Sequence, residues 1–206
     1  SIRRQRQMCI RDSIRIGGVD LRDMDSATLY RQVAFVFQDV RLLRSSVLDN
    51  LRLGRPEATL AEVEEAARAA QIHSRITALP QGYHTQLGSG VQLSGGEVQR
   101  LGIARAMLSQ APILVLDEAT AASDPESEAA IQQALSRLAA GRTVLVIAHR
   151  LSSIQDADQI AVLQAGQLVE CGRHSALLEQ QGVYAGLWAA QQFCACLLYT
   201  SDAADE

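Results

Sequence analysis

Short uninterrupted apolar runs alternate along the chain with stretches in which apolar residues recur at helical spacing. The compact run at 33–37 predicts a buried strand, and the runs at 113–116 and 144–148 are typical of parallel strands covered on both faces. Between the last two lies a helical stretch at 125–138, with Asp124 as its N-cap and acidic residues in its first turn. Strand, helix and strand at this spacing form a βαβ unit, so the pattern predicts an α/β fold with a parallel sheet.

Two turns that contain glycine predict β-hairpins on either side of this unit. The first hairpin covers residues 14–21, with Gly-Gly at 17–18, and the second covers 160–170, with Ala-Gly at 165–166. Glycine adopts the positive φ that tight hairpin turns need. We therefore expect one hairpin before the sheet and one after it.

Further helices are predicted outside the βαβ unit. Residues 59–70 have helical periodicity, and Thr59 is followed three positions later by Glu62, the pairing of a capping box. Residues 97–108 are also helical in pattern, and two short helices are expected to close the domain near 187–188.

The composition excludes several classes of function. The 206 residues, 48% hydrophobic and 20% charged, are enough to bury the core of one globular domain. A net charge of −4 offers no basic surface, so no nucleic-acid partner is expected. The apolar runs are far shorter than the roughly 20 residues of a membrane-spanning helix. The four cysteines match no zinc-site spacing and indicate reduced thiols.

The two ends of the chain differ from the rest. Residues 1–13 are basic and lack periodicity, and residues 193–206 join an apolar patch to a small acidic tail. Both resemble read-through of cloning adaptors, so we predict that they are foreign to the domain. The domain itself is expected at 14–192, with a helical subdomain at about 46–110.

One segment has the pattern of an anion-binding site. In Leu93-Ser94-Gly95-Gly96-Glu97, two glycines follow a serine at the start of a predicted helix. The bare N–H groups of such a helix start and the helix dipole both favour an anion. Ser-Gly-Gly alone is usually a loop, but here a strand that ends in two acidic residues follows downstream, which favours the site.

Those acidic residues stand at the carboxyl end of a predicted strand, where α/β folds bind ligands. Asp117 and Glu118 directly follow the run 113–116. Asp117 is expected to hold Mg²⁺ through water, as a strand-end aspartate does in P-loop NTPases. Glu118 is expected to orient and polarise an attacking water molecule.

Three more polar residues lie near predicted strand ends. Gln38 follows the run 33–37 and is placed to contact both the metal and the attacking water. Asp124 lies in the turn beyond the acidic strand end, and His149 follows the run 144–148. His149 can donate to the γ-phosphate from there. Because parallel strands end at one edge of a sheet, these residues are expected to converge there.

These motifs, in this order and spacing across 14–192, resemble the ATP-binding domain of ABC (ATP-binding-cassette) transporters. The resemblance rests on five segments: VFQD at 36–39 as the Q-loop, LSGGE at 93–97 as the signature, ILVLDE at 113–118 as Walker B, AASD at 121–124 as the D-loop and VIAHRLSSI at 146–154 as the switch-histidine region. The AHRLSSI segment and the closing GVYAGLW are similar to the exporter type.

The resemblance implies a P-loop NTPase-like ABC ATPase core with a helical signature subdomain, and ATP and Mg²⁺ as cofactors. Two such domains would close head to tail over two ATP molecules. Ser94, Gly95 and Gly96 would then contact the γ-phosphate held by the opposite subunit, and Glu97 and Asp124 are counted with the nucleotide-binding residues.

The resemblance also implies a membrane partner. A transmembrane domain usually precedes the exporter-type ATPase on one chain, so the expected location is the cytoplasmic face of the cell membrane. A coupling helix of that membrane domain would lie near Gln38.

The sequence departs from the family pattern in two respects. The GxxxxGK[ST] loop that cradles the phosphates is absent, and the chain contains no lysine. We therefore expect the N-terminal part of the sheet and this loop to be missing, and the chain alone to be inactive. In addition, Glu97 stands where the family more commonly has glutamine.

Two alternatives remain open. One is an ABC ATPase that does not act in transport, although 55 residues between Gln38 and Ser94 leave no room for the long coiled coil of the chromosome type. The other is a degenerate cassette that only binds a partner. The presence of both Glu118 and His149 makes that alternative the weaker one.

Overall fold

The computed structural model describes residues 13–88, 91–117, 125–148 and 150–201, with only the backbone at 125–126 and 193–201. Contacts divide the chain into two compact units, residues 1–145 and 146–206. Each unit has its own cluster of buried apolar side chains.

The first unit begins with the predicted hairpin. Its strands are β1 (Arg15–Ile16) and β2 (Val19–Asp20), which pair in antiparallel fashion. Gly17 and Gly18 have φ angles of 58° and 85°, a region that glycine adopts without a steric penalty. The first predicted hairpin is therefore confirmed, although its strands are short.

Helices and strands follow in an α/β order. They are α1 (Ser26–Gln32), β3 (Val33–Val36), α2 (Val47–Arg52), α3 (Leu60–Ala69), α4 (His73–Thr77), α5 (Gly95–Ser109), β4 (Ile113–Asp117), α6 (Pro125–Ala139) and β5 (Thr143–Ile147). The helices predicted at 59–70 and 125–138 are confirmed. The sequence pattern does not predict α1, α2 and α4, because a helix of fewer than eight residues is too short to show a period.

Strands β3, β4 and β5 form one sheet, in that order. Strand β3 pairs in parallel with β4, so that Val33 lies opposite Ile113 and Val36 lies opposite Leu116. Val36 is 1% exposed and Leu114 is fully buried. The carboxyl ends of β3 and β4 therefore lie at the same edge of the sheet.

The expectation that these strands are covered on both faces is wrong for β5. Every residue of β5 is exposed, and Leu145 reaches 60%. In the described part of the chain, β5 has a strand neighbour on one side only. Phe35 in β3 is also 42% exposed and stacks on Phe37. An apolar run predicts a strand, but its burial depends on which elements pack against it.

Helix α5 is central to the packing of the first unit, since it contacts α2, α3, α6 and β3. Its Leu101 and Ile103 are almost fully buried, as are Val63 of α3 and Ile131 of α6. Each buried aliphatic side chain of this size contributes about 1.5–3 kcal/mol to folding. The start of α5 is therefore held in place by a well-packed helix body.

Capping boxes begin two of the helices that pack around α5. Ser46 and Asp49 form one at the start of α2, and Thr59 and Glu62 form another at the start of α3. The backbone and hydroxyl hydrogen bonds from Thr59 hold the pKa of Glu62 at about 2. The predicted N-cap of α3 is thus confirmed.

We expect Gly54→Ala to destabilise the first unit by about 2–3 kcal/mol, because the added methyl group overpacks a rigid contact. A Cβ on Gly54 would lie 2.1 Å from the backbone carbonyl oxygen of Arg105, which cannot move aside as a side chain does. Denaturant unfolding measures the change. The matched control is Gly186→Ala, because a Cβ there would meet no heavy atom within 4 Å. Equal stabilities of the two variants would contradict the prediction.

The second unit contains the other predicted hairpin. Strands β6 (Ile160–Gln164) and β7 (Gln167–Gly172) pair in antiparallel fashion, and the turn residues Ala165 and Gly166 both have positive φ angles, 50° and 78°. The hairpin expected at 160–170 is therefore confirmed.

Two helices follow this hairpin, α7 (His174–Glu179) and α8 (Val183–Ser201). The expectation of a final short helix ending near 187–188 is wrong, because α8 continues to Ser201. The alanine-rich and leucine-rich sequence beyond residue 188 has a high helix propensity, and the predicted boundary of the tail at residue 193 lies inside α8. That residues 193–206 are foreign to the domain stays a prediction.

The start of α8 is capped by a side chain from β7. Both carboxylate oxygens of Glu170 accept hydrogen bonds, from the backbone N–H groups of Val183 and Tyr184. Tyr184 is 1% exposed, and its hydroxyl lies 2.8 Å from Nδ1 of His174. This arrangement fixes α8 against β7 within the second unit.

Candidate ATP-binding surfaces

The predicted anion-binding segment forms a capped helix start. Ser94 is the N-cap of α5, with φ −66° and ψ 161°. Its Oγ accepts a hydrogen bond from the N–H of Glu97 at 3.2 Å, and Oε2 of Glu97 accepts one from the N–H of Ser94 at 2.8 Å. Helix α5 therefore begins at Gly95 and not at Glu97, two residues earlier than the periodicity predicts.

The capping box leaves the front of the helix open. A helix start has no preceding turn to accept its first N–H groups, so those of Gly95 and Gly96 have no carbonyl partner within the helix. A Cβ on Gly95 would meet no heavy atom within 4 Å. Since Ser94 Oγ already accepts a hydrogen bond, its hydroxyl proton is left to donate. The N–H groups of Gly95 and Gly96 and the hydroxyl of Ser94 thus fit an anion such as a phosphate.

Gly96 is the more crowded of the two glycines. A Cβ at this position would lie 3.0 Å from Cβ and 3.1 Å from Oγ of Ser127 in α6. A side chain at this position would therefore press against Ser127, which would have to shift by a few tenths of an ångström. Glycine at this position allows the close approach of the two helices, and glycine at the preceding position keeps the surface open.

The carboxylate of Glu97 is engaged within the protein. One oxygen caps Ser94, and the other lies 2.8 Å from Nε of Arg75 in α4. Glu97 thus orients the helix start, and its predicted contact with nucleotide stays a prediction. No pattern in the sequence predicts the contact with Arg75, which is 22 positions away and on another helix.

The second group of predicted residues lies at the edge of the sheet. Asp117 is the last residue of β4 and is partly buried. Gln38 follows the end of β3 by two positions and is exposed. Because Val36 lies opposite Leu116 in the parallel pair, both residues follow strands that end at the same edge of the sheet.

A carboxylate and an amide oxygen are suitable ligands for Mg²⁺, which also keeps water and phosphate ligands. Among the described residues, no group of three or more His, Cys, Asp or Glu side chains is placed to hold a metal by protein ligands alone. Asp117 and Gln38 carry groups of this kind, and their binding of Mg²⁺ stays a prediction. Glu118, Asp124 and His149 lie outside the described residues.

Comparison with known proteins decides the family. A sequence model described as ABC transporter matches residues 2–121 of the chain, which include the Q-loop, signature and Walker B segments. The chain belongs to the ABC transporter family. The matched region includes most of the segment 1–13, whose predicted foreign origin stays a prediction.

The relatives are much longer proteins. The mycobactin import ATP-binding/permease protein IrtA of Mycolicibacterium smegmatis is 54% identical over 180 residues, which cover 87% of this chain and 21% of the relative. Human ATP-binding cassette sub-family B member 6 is 49% identical over 180 residues, again 87% of this chain and 21% of the relative. The chain thus spans about a fifth of the length of these curated relatives.

A solved structure agrees with the fold. A bacterial Atm1-family ABC exporter with ATP bound superimposes with a TM-score of 0.78 at 43% identity, and the match covers 87% of this chain and 32% of the exporter chain. The predicted α/β ABC ATPase core and the resemblance to exporter-type ABC domains are both confirmed. None of the described helices is long and apolar enough to cross a membrane.

Proposed function

We propose that this chain is part of an ATP-hydrolysing domain that drives transport of a substrate across a membrane. The observation that carries the proposal is the start of α5, where a capping box between Ser94 and Glu97 leaves the N–H groups of Gly95 and Gly96 open to an anion. The transport role is supported by relatives, one of which is named as an import ATP-binding/permease protein and another as an ABC transporter.

Two copies of the domain are proposed to share each ATP molecule. A helix start alone binds one anion, whereas Asp117 and Gln38 lie at a sheet edge suited to the metal that accompanies it. In a head-to-tail pair, the signature helix of one copy would close the site at the sheet edge of the other. ATP and Mg²⁺ are accordingly the proposed cofactors, and a fused transmembrane domain at the cytoplasmic face of the membrane is the proposed partner.

The chemical roles of the residues follow from their groups. Asp117 and Gln38 would hold Mg²⁺, which when bound neutralises charge on the β- and γ-phosphate oxygens. The Glu118 carboxylate would accept a hydrogen bond from the attacking water and orient it. His149 would donate to the γ-phosphate, and Ser94 would donate its hydroxyl proton to the same group. Asp124, in the D-loop, would help position the nucleotide.

We also propose that the 206 residues by themselves neither bind ATP tightly nor turn it over. No Gly-Lys pair occurs in the sequence, because it contains no lysine. The lysine and the N–H groups of a GxxxxGK[ST] loop supply contacts to the β- and γ-phosphates in this family. Isothermal titration of the purified chain with ATP tests this, and saturable micromolar binding would contradict it.

Magnesium dependence tests the proposed metal site. We expect Asp117→Asn in the full-length protein to raise the Mg²⁺ concentration for half-maximal ATP hydrolysis at least about tenfold, because the neutral amide is a weaker ligand for a hard cation. The matched control is Asp39→Asn, an exposed aspartate next to Gln38. An unchanged Mg²⁺ requirement in Asp117→Asn would remove this residue from the metal site.

A further inference from the structure

We propose that Arg75 is a positioning residue, which neutralises Glu97 so that a signature helix carrying a glutamate can accept the phosphates of ATP. The inference rests on the proposed function, because it concerns the same helix start. It assigns a role to a residue on α4, outside all the motifs of the sequence.

Arg75 and Glu97 form a salt bridge. Nε of Arg75 lies 2.8 Å from Oε1 of Glu97. Arg75 Nε has no aligned hydrogen-bond acceptor among the described residues, so the N–H does not point along this contact. The side chain of Glu97 is 17% exposed and that of Arg75 is 41% exposed. The pair is thus partly shielded from water, which strengthens the interaction relative to a fully exposed pair.

Arg75 is held in place by its short helix. Ile76, the next residue of α4, is 2% exposed. Nδ1 of His73, two positions before Arg75, lies 2.8 Å from the hydroxyl oxygen of Tyr83. These two anchors fix the backbone of α4 beside the start of α5, so the guanidinium of Arg75 reaches Glu97 from a rigid element.

Glu97 needs a counter-charge because of where it lies. It occupies the first turn of α5, where the helix dipole stabilises its carboxylate. The carboxylate also adds a full negative charge next to the open N–H groups. An approaching triphosphate is repelled by that charge over a distance comparable to the Debye length of about 8 Å. The guanidinium of Arg75 cancels it. Arg100 adds a second positive group, whose Nη1 lies 3.6 Å from the position of a Cβ on Gly96.

A double-mutant cycle in the full-length protein tests the inference through the rate of ATP hydrolysis at varied ATP concentration. We expect Arg75→Met to raise KM for ATP about threefold to fivefold with little change in kcat, because an uncompensated charge weakens phosphate binding. With Glu97→Gln already present, Arg75→Met is expected to leave KM unchanged, because no negative charge remains to be neutralised.

The control is Arg68→Met. Arg68 forms a comparable ion pair with Glu64 along α3, at 2.7 Å, so the substitution removes the same charge without uncovering Glu97. Its KM is expected to match that of the unaltered protein. Arg75→Lys keeps the positive charge, and its KM is expected to stay close to the original value. This variant decides the matter if thermal unfolding shows that Arg75→Met has lost stability.

Two outcomes overturn the inference. Equal increases of KM with and without Glu97→Gln would mean that Arg75 acts through another group, and no increase in either background would mean that it has no role. Failure of the proposed function would look different, since the unaltered protein would then not hydrolyse ATP, or its hydrolysis would persist in the Glu118→Gln variant.

Discussion

Exchange of Glu118 for glutamine is expected to lower ATP turnover by the full-length protein at least about a hundredfold, because the amide cannot polarise the attacking water. Glu118 directly follows Asp117, the last residue of β4, and β4 ends at the same edge as β3. Glutamine has the same shape as glutamate, so ATP binding is expected to stay within about twofold of the original. Phosphate release measures turnover, and a fluorescent ATP analogue measures binding.

The matched control for this substitution is Glu57→Gln. Glu57 is an exposed carboxylate before α3, away from the predicted site, so its loss is expected to leave turnover unchanged. A Glu118→Gln protein that turned over ATP as fast as the Glu57→Gln control would remove Glu118 from the mechanism. That result would favour the degenerate cassette, which only binds a partner.

Gly95→Asp is expected to affect activity and stability in opposite directions. A Cβ on Gly95 meets no heavy atom within 4 Å, so the side chain fits without strain. An acidic residue in the first turn stabilises the helix by about 0.3–1 kcal/mol through the dipole. The same charge repels the phosphates, and kcat/KM for ATP is expected to fall at least about a hundredfold. Steady-state kinetics and denaturant unfolding measure the two effects.

Gly95→Asn separates charge from size in this experiment. Asparagine has the shape of aspartate without its charge, so kcat/KM of the Asn variant is expected to exceed that of the Asp variant at least about tenfold. Equal losses in both variants would show that the open space in front of α5 matters, and not its affinity for an anion. Full activity of Gly95→Asp would mean that no phosphate approaches this helix start.

The sequence predicts the elements that carry a strong local signal. The hairpin turns at Gly17 and Gly166 have the positive φ angles that glycine supplies. The helix of the βαβ unit is confirmed at Pro125–Ala139, where proline and acidic residues mark the start. In each case one or two residues restrict the backbone strongly, so tertiary packing does not override the local preference.

The helical periodicity alone places the start of α5 at Glu97, although the signal for a start at Gly95 is in the sequence. Ser94 and Glu97 have the spacing of a capping box, and in the structure they form one. The two intervening glycines lower helix propensity by about 1 kcal/mol each, which favoured a later start. The cap and the buried body of the helix outweigh that cost. A capping-box pattern should therefore take precedence over propensity at a helix start.

Other features depend on contacts that a sequence pattern does not encode. The exposure of β5 depends on which elements flank the strand, whereas its apolar residues indicate only a strand. The pairing of Arg75 with Glu97 joins two helices through side chains. Burial and pairing of this kind are properties of tertiary packing, so they could be found only in the structure.

The central claim is that the start of α5 contacts the γ-phosphate of ATP. It is tested most directly with an ATP analogue that carries a photoreactive group on the γ-phosphate, bound to the full-length Glu118→Gln protein. Because no lysine or arginine lies between Arg75 and Arg100, trypsin releases the helix start within one peptide, 76–100. We predict that this peptide is labelled, that unlabelled ATP prevents the labelling, and that Gly95→Asp abolishes it. Labelling of other peptides with none in 76–100 would contradict the claim.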